Sequence, residues 1–475
     1  MFTYQDFEQE TDVKKAVGMI ITAHKNSDDY KIAKDADLYD HQKNKTINEY
    51  VRMIFSLTGT PIEDFTASNN KIASNFFRRL NTQRTTYLLG NGVNFATNEG
   101  IKDQLGKTFD KRLKTLAYNA LIHGVSFAFW NVQGIHVFKL TEFAPLWDEE
   151  TGELRAGVRF WQIDDNKPMF AVLYEEDGYT KYRSNIKNGA FEELQPKKAY
   201  QVTVRTSVAD GEEVIGEDNY GTLPIIPMWG SELKQSTLIG MQQSIDSYDL
   251  IRSGFANDLT DCAQIYWILA NAGGMSDADL AHFRDRLKTT HIAVVDEDNS
   301  SATPYTQEIP YNARQVYLSE IRAGLYEDFG GLDVHIIAAG ATNDHIDAAY
   351  QPMDEQADDL EYQVIEFVSH LLELLGIEDD TPVFKRNRIS NQAEQTEMVL
   401  SAAEYLDEET VLKKLPFVTV DEVADILAKK AEESENRYSD DEIDQRLKAL
   451  ENGQNNAVNG GSNNQQTEQE EDVNG

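Results

Sequence analysis

The sequence predicts an α+β fold with more helix than strand, and three features of its apolar pattern lead to that class. Apolar residues recur every three or four positions over most of the first 130 residues, as in amphipathic helices. From about residue 130 to residue 226 they alternate in short runs, as in half-buried strands. Beyond residue 238, two long helical patterns enclose a small region of mixed type.

Residues 1 to 130 are predicted to be mainly helical. The stretch from Asn69 to Gly90 is amphipathic, and the stretch from Phe109 to Trp130 carries apolar residues at helical spacing. The following region is predicted to be an antiparallel meander, because turn sequences such as Asp-Glu-Glu-Thr-Gly and Glu-Glu-Asp-Gly separate its short apolar runs. Gly221 to Pro227 closes this β region.

A long helix is predicted from Leu238 to Tyr266. Its apolar residues stand at 238, 241, 245, 248, 251, 255, 259, 262 and 266, so they form one continuous face about 44 Å long at 1.5 Å per residue. We interpret this face as helix–helix core. A compact insert follows, with a capping box at Ser276 and Asp279 that starts a short helix, and with two strands within Thr290 to Glu308. A second helix is predicted from Tyr311 to Phe329, which makes a hairpin with the insert at its tip.

The chain beyond Gly330-Gly331 is predicted to be a loop followed by helices. The segment from Leu332 to Asp344 is rich in small residues, and a third long helix is predicted from near His345 to about Gly376. Further helices are expected beyond Phe384. From Glu451 onward the sequence is Asn, Gln, Gly and acidic residues, and this composition predicts disorder.

The charge balance argues against a conventional DNA-binding module. The chain has 475 residues, 44 Lys and Arg, and 81 Asp and Glu, for a net charge of -37. Unaided binding to phosphate requires a basic face. The single cysteine, Cys262, excludes an intrachain disulfide and a multi-cysteine zinc site. The acidic N-terminus is not a signal peptide, and no apolar run is long enough for a membrane span, so we expect synthesis in the cytoplasm and no membrane partner.

Motifs of catalysis fail on their spacing, so the sequence predicts no enzyme, no metal site and no cofactor. Gly100 to Thr108 has five residues between its glycines where a phosphate-binding loop has four, and a plain loop is the simpler interpretation. The calcium-like start at Asp296 lacks the required glycine and the final glutamate, which favours a solvated turn. The nine histidines form no metal-binding or catalytic pair, and structural roles are favoured for them.

Three local motifs then resemble one family, the portal proteins of siphophages that infect Gram-positive bacteria. The first is Asn69-Asn-Lys-Ile-Ala-Ser-Asn-Phe76 followed by Tyr87-Leu-Leu-Gly90, which resembles the end of a helix in the N-terminal wing. The second is Gly221 to Pro227 with Ser244-Ile-Asp-Ser-Tyr248, similar to the entry into a first stem helix. The third is Arg386-Asn-Arg-Ile-Ser-Asn391 with Glu394, similar to the stretch that leads into the crown. The resemblance covers nearly the whole chain except the polar tail.

The resemblance implies a ring of about a dozen subunits around an axial tunnel for double-stranded DNA at one capsid vertex of the virion. The implied regions are the wing (1–237), stem helix 1 (238–266), the clip (267–310), stem helix 2 (311–330), the tunnel loop (331–344), a long helix joining stem to wing (345–380), the crown (381–450) and a disordered tail (451–475). The implied roles are genome packaging, retention and ejection. The implied partners are the terminase large subunit, head-completion or adaptor proteins, and the major capsid and scaffolding proteins.

Two sets of residues are candidates for facing the DNA. The tunnel-loop candidates are Ala338, Ala339, Gly340, Ala341, Thr342, Asn343 and Asp344, whose small side chains suit close approach to DNA. They include no Lys or Arg, so contact would depend on shape, and a plain inter-helix loop is the alternative. Arg314 and Arg322, eight residues apart on one helix, are candidates for the stem lumen; the alternative is ion pairing within or between subunits, with Glu320 and Glu327 as partners.

Two rival functions are weighed against a portal. Another multimeric phage head protein should lack the long hairpin with an α/β insert, which this sequence has. An uncharacterised enzyme would need a convergent polar cluster, and no recognisable spacing supplies one. DNA packaging by a portal would leave ATP hydrolysis to a separate terminase.

Overall fold

The computed structural model divides the chain into two compact units. The first contains residues 1–337 and 347–388, and the second contains residues 338–346 and 389–475. The structure describes residues 2–55, 58–65, 68–95, 100–185, 189–207, 211–262, 266–270, 276, 278–283, 301–305, 310–335, 342–377, 380–388, 392–418, 420–437 and 448. Helices and antiparallel sheets make up these residues, which confirms the predicted α+β class.

The first unit begins with four short helices, and side chains cap the starts of the first three. These are α1 (Tyr4–Gln9), α2 (Val13–Asn26), α3 (Asp28–Asp40) and α4 (Lys45–Glu49), followed by a hairpin of β1 (Met53–Phe55) and β2 (Pro61–Glu63). Asp12 accepts hydrogen bonds from backbone N–H groups in the first turn of α2, and Ser27 does so for α3. One face of α2 buries Val17, Ile20 and Ile21 against the meander sheet described below.

The next helices build the largest core cluster. The elements are α5 (Phe76–Leu89), β3 (Val93–Phe95), α6 (Ile101–Leu105) and α7 (Phe109–His123). α7 buries Leu113, Leu116 and Ala117 at the predicted spacing. Gly124 ends α7 with a φ of +88°, a conformation that favours glycine. The predicted helical pattern was therefore wrong over its last residues, because Val125–Trp130 is the strand β4.

The predicted meander is confirmed as a five-stranded antiparallel sheet in which sequence neighbours pair. β4 first pairs with β5 (Ile135–Lys139). The sheet itself contains β6 (Phe143–Trp147), β7 (Leu154–Trp161), β8 (Phe170–Glu175), β9 (Gly178–Ser184) and β10 (Phe191–Lys198). β11 (Gln201–Ser207) and β12 (Gly211–Asp218) form a separate hairpin, and β13 (Ile225–Trp229) returns to pair with β4. The β region thus closes where the sequence predicted.

Two long helices then form the predicted hairpin. They are α8 (Leu238–Cys262) and α10 (Tyr311–Asp328). Between them the structure describes β14 (Tyr266–Ala270), a helical stretch α9 (278–283) and β15 (Ser301–Tyr305). The predicted helix end at Tyr266 was wrong, because Tyr266 starts a strand that pairs with Ser301–Tyr305 and draws the two sides of the insert together. The capping box is confirmed: the Ser276 N–H donates to Asp279 (2.9 Å), and the Asp279 N–H donates to the Ser276 hydroxyl (3.4 Å). Most of the insert, including 290–300, lies outside the described residues.

The third long helix, α11 (Asn343–Leu375), begins two residues before the predicted start. β16 (Pro382–Phe384) follows and pairs with β3, so this part of the chain packs within the first unit. The second unit contains α12 (Gln392–Ser401), α13 (Glu408–Lys414) and α14 (Val420–Arg437). The predicted disordered tail from Glu451 lies outside the described residues.

Candidate functional site

The predicted tunnel-loop residues lie at the start of α11. Ala338, Ala339, Gly340 and Ala341 fall outside the described residues. Thr342 is exposed and its carbonyl accepts the first hydrogen bond of α11, from the Ile346 N–H (3.1 Å). Asn343 and Asp344 therefore belong to the first helical turn and not to a loop.

The turn that ends α10 is held on α5 by a reciprocal pair of hydrogen bonds. The side-chain amide of Gln83 donates to the Leu332 carbonyl (2.9 Å), and the Leu332 N–H donates to the Gln83 side-chain oxygen (3.2 Å). The Gln83 side chain thereby makes both backbone hydrogen bonds of Leu332, as the backbone of a paired strand does in a β-sheet. The end of α10 is consequently fixed relative to α5.

Two glycines allow this turn to pass between α5 and α11. Gly330 has a φ of +56°, and the N–H groups of Gly330 and Gly331 bond back to the Glu327 and Tyr326 carbonyls in a Schellman motif. A Cβ on Gly330 would lie 2.6 Å from the Pro352 carbonyl oxygen, and a Cβ on Gly331 would overlap a Leu80 methyl group. Both positions exclude larger residues because helices pack against them on two sides.

Arg84 fills the remaining space at the turn without a carboxylate partner among the described residues. Its guanidinium donates to the Phe329 carbonyl (3.4 Å) and to the side chain of Gln356 on α11. Burial lowers the pKa of Arg84 to about 10, although the charge of Asp359 opposes this. Arg84 therefore ties the end of α10 to α11.

Arg314 and Arg322 are ion-paired within one protomer, as in the alternative interpretation, but with different partners. Arg314 pairs with Asp258 on α8. Arg322 pairs with Asp333 (3.0 Å), whose carboxylate also accepts a hydrogen bond from the His335 N–H (3.2 Å). Neither expected glutamate partner is used, because the acidic residues of α8 and of the turn come closer than those one helical turn away on α10.

A charged cluster holds the other side of α11 and joins two of the motifs that suggested the family. Tyr87 donates to Asp354 of α11 (2.6 Å) and accepts from Arg388 (2.7 Å). Arg386 donates to the same Asp354 (2.7 Å) and to Glu361 (3.0 Å). Arg388 also pairs with Asp347 (2.9 Å). Burial and the bond to Asp354 raise the pKa of Tyr87 to about 12. Burial also acts to raise the pKa of Asp354, but the hydrogen bonds from Tyr87, Arg388 and Arg386 outweigh it and leave that pKa below its ordinary value.

A third anchor runs along α8, beside the segment Asn70 to Ser74, which is neither helix nor strand. The N–H groups of Asn70, Ile72 and Ser74 donate in turn to the side chains of Asn257 (2.6 Å), Ser253 (3.0 Å) and Asp249 (2.9 Å). Two residues of extended chain span about 6.6 Å and one helical step of four spans about 6 Å, so the two patterns stay in register. Burial raises the pKa of Asp249, against the hydrogen bonds it accepts.

This polar ladder corrects the prediction of one continuous apolar face on α8. Leu238, Met241 and Ile245 are buried as predicted, but further along the buried positions are Asp249, Ser253 and Asn257, whereas Leu259 is 54% exposed. The partner there is backbone, which requires hydrogen-bond acceptors rather than apolar side chains. The sequence does carry a signal of this ladder, because polar residues recur every four positions at 249, 253 and 257 beside the apolar residues of α8.

The contacts described above hold the helices in place. The end of α10, the part of α11 around Asp354 and the stretch of α8 from Asp249 to Asn257 are each fixed by polar contacts to the same N-terminal segment, residues 70–88. Arg322 holds Asp333 and Arg388 holds Asp347, so the chain is fixed on both sides of the segment between them. Within the described part of the chain, no helix is long and apolar enough to cross a membrane.

Comparison with known proteins gives one consistent result. The family model for phage portal proteins of the SPP1 Gp6-like type matches residues 19–436. A portal protein of Clostridium phage phiCD119 is 25% identical over 405 residues, covering 79% of this chain and 88% of that protein. The portal protein of Bacillus phage SPP1 is 24% identical over 399 residues, covering 77% of each chain. The motifs that meet at Asp354, the helical hairpin with its insert and a match over most of the sequence agree, and the chain belongs to the SPP1 Gp6-like family of phage portal proteins.

Proposed function

We propose that this chain assembles into a ring of about a dozen copies at one capsid vertex and that DNA passes through the ring during packaging and ejection. The observation that carries the proposal is the family match over residues 19–436, which spans every element of the hairpin and its anchors. The role is structural, and the energy for packaging comes from a separate terminase ATPase.

The segment from Gly331 to Asp344 is the part that we assign to the channel. Gln83 and Arg322 anchor its start, Arg388 anchors Asp347 three residues beyond its end, and residues 338–341 carry side chains no larger than a methyl group. An anchored segment of small residues can approach a moving polymer without large rearrangement. We assign the long hairpin α8 and α10 to the stem and residues 267–310 to the clip, the docking site for terminase and head-completion proteins.

The charge of residues 331–344 suits a surface along which DNA slides rather than one that binds DNA tightly. Residues 331–344 contain no Lys or Arg and two acidic residues, Asp333 and Asp344. Each neutralised phosphate strengthens binding to DNA, so a channel rich in free cations would hold the duplex. In our proposal Arg314 and Arg322 face the lumen side of the stem as neutral ion pairs with Asp258 and Asp333, and not as bands of free positive charge.

An exchange within the loop tests the assignment. Replacing Ala338, Ala339 and Ala341 by Tyr should block DNA packaging in an in vivo or in vitro packaging assay while ring assembly is unchanged. The matched control replaces Ala348, an exposed alanine on α11, by Tyr, and should package normally. Wild-type packaging by the loop variant would refute the assignment of this segment to the channel.

A further inference from the structure

An exposed basic face stands out in this acidic chain. Residues 71–115 contain nine Lys and Arg against three Asp and Glu, although the whole chain has a net charge of -37. Arg78 on α5 and Lys111 and Arg112 on α7 are exposed. No carboxylate of a described residue lies within ion-pair distance of these three side chains. They are therefore free to meet a partner.

These cations lie on two neighbouring helices. The ammonium of Lys114 donates to the Thr86 hydroxyl (3.0 Å), and Tyr118 lies beside Thr82 and Arg78, so α5 and α7 are antiparallel neighbours. From the level of Tyr118 to Lys111 is seven residues of helix, or about 10 Å. Lys111 lies on the side of α7 toward α5, whereas Arg112 lies about 100° further round the helix, toward His136. We call the exposed surface that carries Arg78, Lys111 and Arg112 the basic face.

A face of opposite charge lies on α11. This helix has nine Asp and Glu and no Lys or Arg. Glu355, Glu366 and Glu373 are exposed on one side of it, with Tyr362, 71% exposed, between them. Among the described residues no cation pairs with these glutamates. Successive glutamates are about 16 Å and about 10 Å apart along the helix. We call this set the acidic face.

The two faces point away from one shared core. α7 buries Leu113 and Leu116, and α11 buries Leu360 and Val364, in the same apolar cluster. Lys111 stands on the side of α7 opposite its buried leucines, and Glu366 stands on the side of α11 opposite Leu360 and Val364. A single protomer therefore presents opposite charges in separate directions.

We propose that the basic face of one protomer binds the acidic face of the adjacent copy. This rests on the proposed ring, because a closed ring uses two different surfaces of each subunit at every junction. Copies with a net charge of -37 repel one another, and cations placed at the contact offset that repulsion locally. Tyr362 stands in the middle of the acidic face, where the arginines of the neighbour can stack on its ring.

Two charge-reversal variants test the contact. The first carries Arg78→Glu, Lys111→Glu and Arg112→Glu, and the second carries Glu355→Lys, Glu366→Lys and Glu373→Lys. Each variant alone should need at least about tenfold more protein to form rings in 0.1 M salt, measured by mass photometry and negative-stain electron microscopy. Higher salt should partly restore assembly of each variant, because it screens the new repulsion.

An equimolar mixture of the two variants should form rings again. In an alternating ring every junction joins one reversed pair or one native pair of faces, so all contacts are complementary. This rescue also shows that both variants are folded. A control with Lys14→Glu, Lys43→Glu and Lys167→Glu has the same change in net charge at exposed positions elsewhere and should assemble as the wild type does.

The outcomes separate this inference from the proposed function. Wild-type rings together with normal rings in both reversal variants would refute this interface alone. Loss of rings in both variants without rescue on mixing would also refute it. Normal rings in the first variant with reduced DNA retention would assign the basic face to DNA instead. A wild-type chain that forms no ring would refute the proposed function as well.

Discussion

Replacing Asp249 by Ala should loosen the segment Asn70 to Ser74 from α8. The Asp249 carboxylate is fully buried and accepts hydrogen bonds from the Ser74 N–H (2.9 Å) and from the Asn44 side chain. A buried donor left without a partner costs about 1–3 kcal/mol, so two such donors should lower local stability by about 3 kcal/mol after relaxation. A free-energy change of that size corresponds to about 100-fold faster amide exchange, at 1.4 kcal/mol per tenfold.

Hydrogen–deuterium exchange with mass spectrometry measures this effect directly. Peptides covering residues 70–76 should exchange faster, with the largest change at Ser74 and smaller changes at Ile72 and Asn70, whose own partners remain. Asp249→Asn retains one acceptor oxygen and should show a smaller change. Gln243→Ala, at an exposed position on the same helix, is the matched control and should change nothing in this segment. Unchanged exchange at residues 70–74 in Asp249→Ala would refute the ladder as a stabilising contact.

Two further predictions follow from the structure. Gly330→Ala should lower the free energy of unfolding by about 2 kcal/mol or more, because alanine is strained at a φ of +56° and its Cβ would meet the Pro352 carbonyl. The control Gly324→Ala lies in open space on α10 and should instead raise the free energy of unfolding by about 0.5–1 kcal/mol. Equal shifts in melting temperature for the two variants would contradict this prediction. Burial of Asp37 acts to raise its pKa, but His123 and Lys139 outweigh burial and lower it to about 2. The ionised carboxylate should therefore contribute about 1 kcal/mol to the free energy of unfolding above pH 4, and this contribution should disappear as the pH falls toward 2. The thermal stability difference between the wild type and Asp37→Asn should therefore shrink over that range, and a difference independent of pH would argue against the ion pairs.

The sequence was sufficient for the elements whose pattern is local. Helix α10 and the capping box at Ser276 follow from apolar spacing and from cap chemistry, which depend on neighbours a few residues apart. The strand Val125–Trp130 was missed because its apolar residues continue the pattern of α7, and the decisive feature is the left-handed Gly124 between them. The strand Tyr266–Ala270 was missed because its partner lies 31 residues further on, at Ser301–Tyr305.

The anchors of the candidate site depend on contacts distant in sequence. Gln83 meets Leu332, and Arg388 meets Tyr87, across 249 and 301 residues. No spacing rule connects such positions, although Tyr87 and Arg388 both belong to motifs that resemble the portal family. The pairing of Arg314 and Arg322 shows the same limit: the helical rule predicts partners one turn away, and the actual partners come from another helix and from a turn.

The central claim is that this chain forms a ring whose channel is lined by the segment from Gly331 to Asp344. Electron cryomicroscopy of the purified full-length protein tests it most directly, with light scattering on the same sample to give the mass. We expect closed rings of about a dozen copies with this segment at the narrowest part of the central opening. A monomer or dimer at every protein and salt concentration, or rings in which the segment lies away from the opening, would contradict the account.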